Sequence, residues 1–270
     1  MDYIHLPIAD MREEPNAGSK VVSQALFGER VEVRERKGDW VSIITPDHYR
    51  GWVQEHSLIC RDEPYPEDVE VTRLRAHIYG VPDTEYGPLM TLPHGSKLHT
   101  IDSSDSRWVQ IRLPDLREGF IQKGDVTPQP FELVAFSKQF LGLPYTWGGR
   151  SSFGFDCSGF VQMVYRQMGV ALPRDAREQI LSHLGKRVSF EKIALGDLIF
   201  WGKSEREIKH VGMSLGGEEF IHSSSRENMP YLRISKLSDF EWSGHRDASY
   251  PFRSAYTFSA QSSPLCCDRA

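Results

Sequence analysis

The sequence predicts an α+β protein in which two small all-β barrels precede a mixed domain of helices and antiparallel strands. Three observations carry this. A segment of the first half recurs without a gap in alternating apolar and polar runs. From Phe131 the apolar spacing changes to three and four residues. A glycine-rich loop then leads into a helix that starts at a cysteine, followed by a buried strand and a hairpin with two histidines. At 270 residues the chain can bury a substantial core without disulfide staples.

The repeat places GDWVSIITPDHYRGWVQ (38–54) on SRWVQIRLPDLREGFIQ (106–122). Trp40 falls on Trp108, Val41 on Val109, Ile43 on Ile111, Pro46 and Asp47 on Pro114 and Asp115, Gly51 on Gly119 and Gln54 on Gln122. Two copies at a long period imply duplicated small domains rather than a solenoid. Runs such as VEVRE and WVSII between Gly, Pro and Asp turn signals predict compact all-β barrels. Only the first copy carries an aromatic phenol, Tyr49, on the loop between its last two strands. The proline- and acid-rich stretch CRDEPYPED marks the boundary between copies, and TPQP (127–130) ends the repeat region. The expected domains are thus 1–63, 64–130 and 131–258, with a polar tail at 259–270 that reads as disordered.

In FELVAFSKQFLG, Leu133, Phe136, Phe140 and Leu141 predict one apolar helix face, which Gly142 and Pro144 end. The loop PYTWGGRSSFGFD then offers glycines that let backbone approach a ligand. Phe160, Val161, Val164, Tyr165 and Met168 recur at helical steps, with Gly169 as the C-cap and Asp156 as the natural N-cap. Cys157 therefore sits on the first helical turn, where the helix dipole favours thiolate and backbone N–H groups can receive an oxyanion. The other cysteines, Cys60, Cys266 and Cys267, lack any zinc-site spacing.

A thiolate needs a base, and the base needs an orienting partner. GDLIFWG (196–202) reads as a buried strand, and HVGMSLGGEEFIHSS (210–224) as a hairpin turning near Gly216 and Gly217. A three-residue loop, Gly216 to Glu218, pairs Gly212 with His222 and puts His210 and His222 on one face; two- and four-residue loops separate them. Joint action of the histidines predicts that loop or a bulge.

YTWGG, FDCSGFV, LPRD, GDLIFW, HVGM and FIH resemble, in order and spacing, the NlpC/p60 family of cell-wall cysteine peptidases. The resemblance covers about residues 131–258. The repeat resembles bacterial SH3-like modules. The family likeness implies a papain-like fold, with Cys157 as nucleophile, His210 as general base and acid, and His222 holding the His210 tautomer. It further implies that Tyr145 lies near the oxyanion, that Asp156 and Ser158 hold substrate backbone, and that Arg174 and Asp175 sit on a cleft loop. Asp156 serves equally well as a simple N-cap. Ala176 stands where relatives often carry Ser, which removes one substrate hydrogen bond.

Two SH3-like modules ahead of such a domain resemble enzymes that cut between γ-D-glutamate and an L-diamino acid and require a free N-terminal L-alanine. The implied substrate is a murein peptide such as L-Ala-γ-D-Glu-diaminopimelate. A carboxylate about 4 Å from the ammonium supplies several kcal/mol of gross attraction at an effective dielectric near 20. Glu14 and Tyr49 are the candidates, with Glu13 or Glu29 as alternative acids.

A formal charge of −5 gives no nucleic-acid footprint, and no apolar run reaches the roughly 20 residues of a membrane span. The acidic, weakly apolar start MDYIHLPIADMREEP lacks the features of a secretory leader, so the expected location is cytoplasmic. No metal or cofactor is expected. The same residues also allow a wall-binding adaptor with an inert C-terminal domain, or an acyltransferase or amidase on the same fold.

Overall fold

The computed structural model describes residues 1–258. The expectations for the tail and for Cys266 and Cys267 lie outside the described residues. The chain forms two compact units: Met1–Phe131 with Gly142–Asp156, and Glu132–Leu141 with the described residues from Cys157 onward.

In the first unit the two copies of the repeat become two antiparallel sheets with the same core hairpin. Trp40–Ile44 pairs with Arg50–Gln54, and Trp108–Arg112 with Glu118–Gln122. The registers match residue for residue: Trp40 faces Gln54 as Trp108 faces Gln122, and Ile43 faces Gly51 as Ile111 faces Gly119. The connecting turns also match, each closing with a non-glycine residue at positive φ, His48 at 63° and Leu116 at 72°. Gly51 and Gly119 are equivalent for a steric reason. A Cβ at Gly51 would lie 2.9 Å from Met11 Cβ, and one at Gly119 2.9 Å from Ile78 Cγ2.

Each barrel has its own apolar core, built on Met11, Val41, Ile43 and Val53 in the first and on Ile78, Val109, Ile111 and Ile121 in the second. Phe27 of the first copy is buried in the core of the second, and its carbonyl accepts from Lys97 N–H at 2.9 Å. Gly28 beside it, at φ 78°, admits no side chain, because a Cβ would meet the Lys97 carbonyl at 2.2 Å. The acidic boundary stretch is anchored by buried Tyr65. Its N–H donates to the Tyr3 hydroxyl, its own hydroxyl donates to the Arg112 carbonyl at 2.8 Å, and the His99 N–H donates to that hydroxyl at 3.0 Å.

The segment Gly142–Asp156 belongs to this first unit. Its short hairpin, Arg150–Ser151 with Gly154–Phe155, is held by buried Arg150. Arg150 donates from Nε to the Gln24 carbonyl at 2.8 Å and from Nη2 to both Glu29 carboxylate oxygens at 2.8 and 2.6 Å. Ser152 continues the attachment, donating to the Leu74 carbonyl and accepting from His94 N–H at 2.9 Å.

The second unit is a six-stranded antiparallel sheet with helices packed on it. The strand order is Gly185–Val188, Phe252–Phe258, Leu198–Gly202, Ile208–Gly216, Glu219–Ser224, Tyr231–Lys236. The helix Cys157–Gln167 packs on Ile208–Gly216 and Glu219–Ser224, with Phe160, Val161 and Val164 fully buried, and the chain turns away just beyond it at Gly169, φ 75°. Phe140, in the turn that follows the helix Leu133–Lys138, is buried with its ring 6.3 Å from that of Phe160. Leu141, expected on that apolar face, is instead exposed, because the helix stops at Lys138 and the chain turns before reaching it.

Candidate active site

Cys157 is the first residue of its helix and is buried. Residues 210 and 222 come together through the central hairpin, by a bulge rather than by a three-residue loop, the second of the two routes that strand parity allowed. Gly216 pairs with Glu219, leaving a two-residue turn, and the register then shifts so that Ser214 faces Phe220 and Met213 faces Ile221. Leu215 is the extra residue of a β-bulge, and it restores the pairing parity that a two-residue turn alone would have broken.

Continued by one step, that register sets Gly212 opposite His222, and a Cβ built on Gly212 would lie 3.1 Å from His222 Cβ and 2.8 Å from Phe220 Cδ2. With no side chain at Gly212, the rings of His210 and His222 meet over it. His210 Nε2 and His222 Nδ1 are 2.8 Å apart, and the rings are edge to face with centroids 5.0 Å apart.

The pair is walled by aromatic rings. Trp242 lies 4.9 Å from the His210 ring and 4.7 Å from the His222 ring, and Trp201, opposite His210 on the next strand, lies 5.7 Å from it. Trp201 Nε1 donates to the Trp242 carbonyl at 2.9 Å, which fixes one indole against the other. Burial drives the His210 pKa down to about 3, with the nearby charges of Arg233 and Arg226 acting in the same direction. His222 is lowered well below the ordinary histidine range, again chiefly by burial, and then by His210 and Arg233. Both rings are therefore neutral at physiological pH, the state in which an imidazole can accept a proton.

Other residues around the pair gave no local signal in the sequence. Ser235, on the last strand of the sheet, has its Oγ 3.0 Å from His222 Nε2. The Tyr250 ring lies parallel to that of His210 at 6.3 Å. Burial raises the Tyr250 pKa, the hydrogen bond and charge of Arg226 oppose the rise, and electrostatic interaction with Cys157 and Glu241 adds to it. Arg226 donates from Nε and Nη2 to the Tyr250 hydroxyl at 3.2 and 3.1 Å. Ser235, Arg226 and Tyr250 lie 13 or more residues from their partners in the chain, and none sits in a motif.

The remaining predicted residues divide between the units. In the second, Ser158 Oγ accepts from Nη1 of buried Arg174 at 3.0 Å, and Asp175 is paired with Arg177 at 3.3 Å before a short helix, 176–179. In the first, Tyr145 makes a single bridge with Phe155, and the Asp156 carboxylate accepts from Gly148 N–H at 3.0 Å. Glu14 is exposed in the turn that joins Ile8–Arg12 to Val21–Leu26, and Tyr49 packs half-buried on the core of the first barrel. Glu29, one of the alternative acids, is buried and committed to Arg150 and to the Leu26 N–H, so it is not an open anion for a substrate. Among the described residues no group of three His, Cys, Asp or Glu side chains could hold a metal ion, and no helix is long and apolar enough to cross a membrane.

Known proteins match both halves. Residues 142–246 match the NlpC/P60 family and residues 9–59 the bacterial SH3 domain. The gamma-D-glutamyl-L-lysine dipeptidyl-peptidase of Bacillus cereus is 34% identical over 233 residues, covering 77% of this chain and 69% of that protein. The chain belongs to the NlpC/P60 family.

A Bacillus subtilis protein of the same name is 31% identical over 75% of this chain and 72% of its own length. The crystal structure of an NlpC/P60 family protein from Bacillus cereus superposes with a TM-score of 0.79 at 26% identity, covering 95% of this chain and 99% of that one. As an NlpC/P60 cysteine peptidase with an N-terminal bacterial SH3 region, this chain has the α+β architecture its motifs predict.

Proposed function

We propose that the protein hydrolyses the amide bond between the γ-carboxyl of D-glutamate and the amine of an L-diamino acid in murein peptides whose N-terminal L-alanine is free. The carrying observation is the neutral, buried histidine pair in the same unit as a helix-start cysteine. The names of the relatives at 31–34% identity support the bond assignment.

In this reading His210 accepts the Cys157 proton as the sulfur attacks the γ-glutamyl carbonyl. The S–C bond forms, and the carbonyl electron pair moves to oxygen, facing the N–H groups of the first helical turn. His210 then gives its proton to the diamino acid nitrogen as the C–N bond breaks. Water next attacks the thioester, its proton passing to His210, and the C–S bond breaks to release L-Ala-γ-D-Glu as the proton on His210 returns to the Cys157 sulfur. His222 holds His210 in the required tautomer.

By family resemblance Tyr145 donates to the oxyanion, Asp156 and Ser158 hold substrate backbone, and Asp175 belongs to the cleft. Glu14, or Glu13, answers the alanine ammonium with Tyr49 beside it. A missing ammonium leaves that carboxylate unpaired, which is the basis of discrimination. Competition between L-Ala-γ-D-Glu-meso-diaminopimelate and its N-acetyl form, read by mass spectrometry, tests the assignment. Preference for the free amine is expected; equal cleavage of both contradicts the free-amine requirement.

A further inference from the structure

We infer that Ser235 is a positioning residue that sets the direction of the hydrogen bonds running through His222 to His210, accepting from His222 Nε2 so that His210 presents an unprotonated Nδ1 to the thiol. The inference rests on the reading of His210 as the base.

A neutral imidazole donates from one nitrogen and accepts at the other. Three groups stand in line: Ser235 Oγ, 3.0 Å from His222 Nε2, and His222 Nδ1, 2.8 Å from His210 Nε2. With both rings neutral, the line runs in one of two directions.

If the serine hydroxyl donates to His222 Nε2, then His222 Nδ1 donates to His210 Nε2, and the remaining hydrogen of His210 sits on Nδ1. His210 then has no lone pair for the thiol proton. If His222 Nε2 donates to Ser235, His210 Nε2 donates to His222 Nδ1, and His210 Nδ1 is open. Only the second direction is a base.

The environment of Ser235 permits that direction. Both rings are buried, His222 fully and His210 at 4% exposure, whereas Ser235 is only partly buried. Its hydroxyl hydrogen can therefore point to water while its oxygen accepts from the ring. The same arrangement supports the imidazolium formed when His210 takes the thiol proton, since every N–H along the line then has an acceptor.

The charged and titratable groups around the pair are Arg233, which faces His222 in the sheet, Arg226, Glu227, which pairs with Arg233 at 2.8 Å, Glu241, Tyr250 and Cys157. Ser235 adds no charge to this set, so its removal isolates the effect of direction.

The test is alkylation of Cys157 by iodoacetamide across pH 5–9 in the full chain, for wild type, Ser235→Ala and Ser235→Thr, with steady-state kinetics on the murein tripeptide alongside. In Ser235→Ala, kcat is expected to fall about tenfold with KM nearly unchanged, and the alkylation profile to move to higher pH. Ser235→Thr keeps the hydroxyl and is expected to restore both. Near-UV circular dichroism confirms that each variant is folded, and Ser235→Thr carries the test if Ser235→Ala is not. A folded Ser235→Ala with the wild-type profile and kcat overturns the proposal, as does a folded Ser235→Thr that behaves like Ser235→Ala in a folded background or loses activity on its own. Because alkylation needs no substrate, failure to cleave the tripeptide with a normal alkylation profile instead counts against the proposed bond. A wild-type Cys157 inert at neutral pH overturns both readings.

Discussion

Arg150 and Glu29 form a buried two-pronged ion pair, with Nη2 2.8 and 2.6 Å from the two carboxylate oxygens and each side chain under 10% exposed. It ties the segment that ends one residue before Cys157 to the first barrel. Removing Arg150 leaves the buried Glu29 carboxylate without its guanidinium, and removing Glu29 leaves Arg150 beside the more distant carboxylate of Asp47, 4.0 Å away. Glu29→Gln and Arg150→Met are each expected to cost about 3–5 kcal/mol, read as a lowered urea midpoint with unchanged slope. The double variant Glu29→Met/Arg150→Met is expected to recover part of the loss, since the buried Glu29 carboxylate is then gone together with the guanidinium that answered it. Single variants with wild-type midpoints would contradict this account.

Gly212 is the hinge of the histidine geometry, because any Cβ there meets Phe220 and His222. Gly212→Ala is expected to lose about 1–3 kcal/mol of stability through overpacking, and to lose more than tenfold in kcat as His222 is displaced from His210. Thermal unfolding and steady-state kinetics check both. A fully active Gly212→Ala would show that contact between the two rings is dispensable.

The buried histidines also make stability depend on pH. The folded pKa of His210, about 3, lies below the unfolded value near 6.5, so the unfolded chain binds more protons between those limits. Stability from this group is complete above pH 6.5 and declines as the pH falls toward 3. For one such group the loss from pH 7 to pH 5 is about 2 kcal/mol. Urea unfolding at the two pH values is expected to show that His210→Gln loses less stability on acidification than wild type, by about that amount. Equal losses would mean that the ring is not held neutral in the folded state.

The parts of the fold that were legible in the sequence are those where the local pattern and the final structure share a period. The repeat is one case: Trp40–Gln54 and Trp108–Gln122 carry the same alternation, the same Pro-Asp turn and the same glycine, and they fold in the same register. The histidine pair is another, since strand parity alone required a three-residue loop or a bulge, and Leu215 supplies the bulge. Arg150 gave no comparable signal. A single arginine in a glycine-rich loop has no period, and its partners Gln24 and Glu29 lie more than 120 residues away. Ser235 and Tyr250 were illegible for the same reason, because only the sheet order and the return of the chain past Trp242 bring them to the histidines. Glu29 shows the opposite error: its sequence offered it as an acid for a substrate, and burial beside Arg150 gave it a structural partner instead.

The central claim is the identity of the bond and of the nucleophile. Mass spectrometry of L-Ala-γ-D-Glu-meso-diaminopimelate incubated with wild type and with Cys157→Ala tests it most directly. The account predicts L-Ala-γ-D-Glu and free diaminopimelate from wild type, and intact tripeptide from Cys157→Ala. Release of alanine, or the same products from Cys157→Ala, would contradict it.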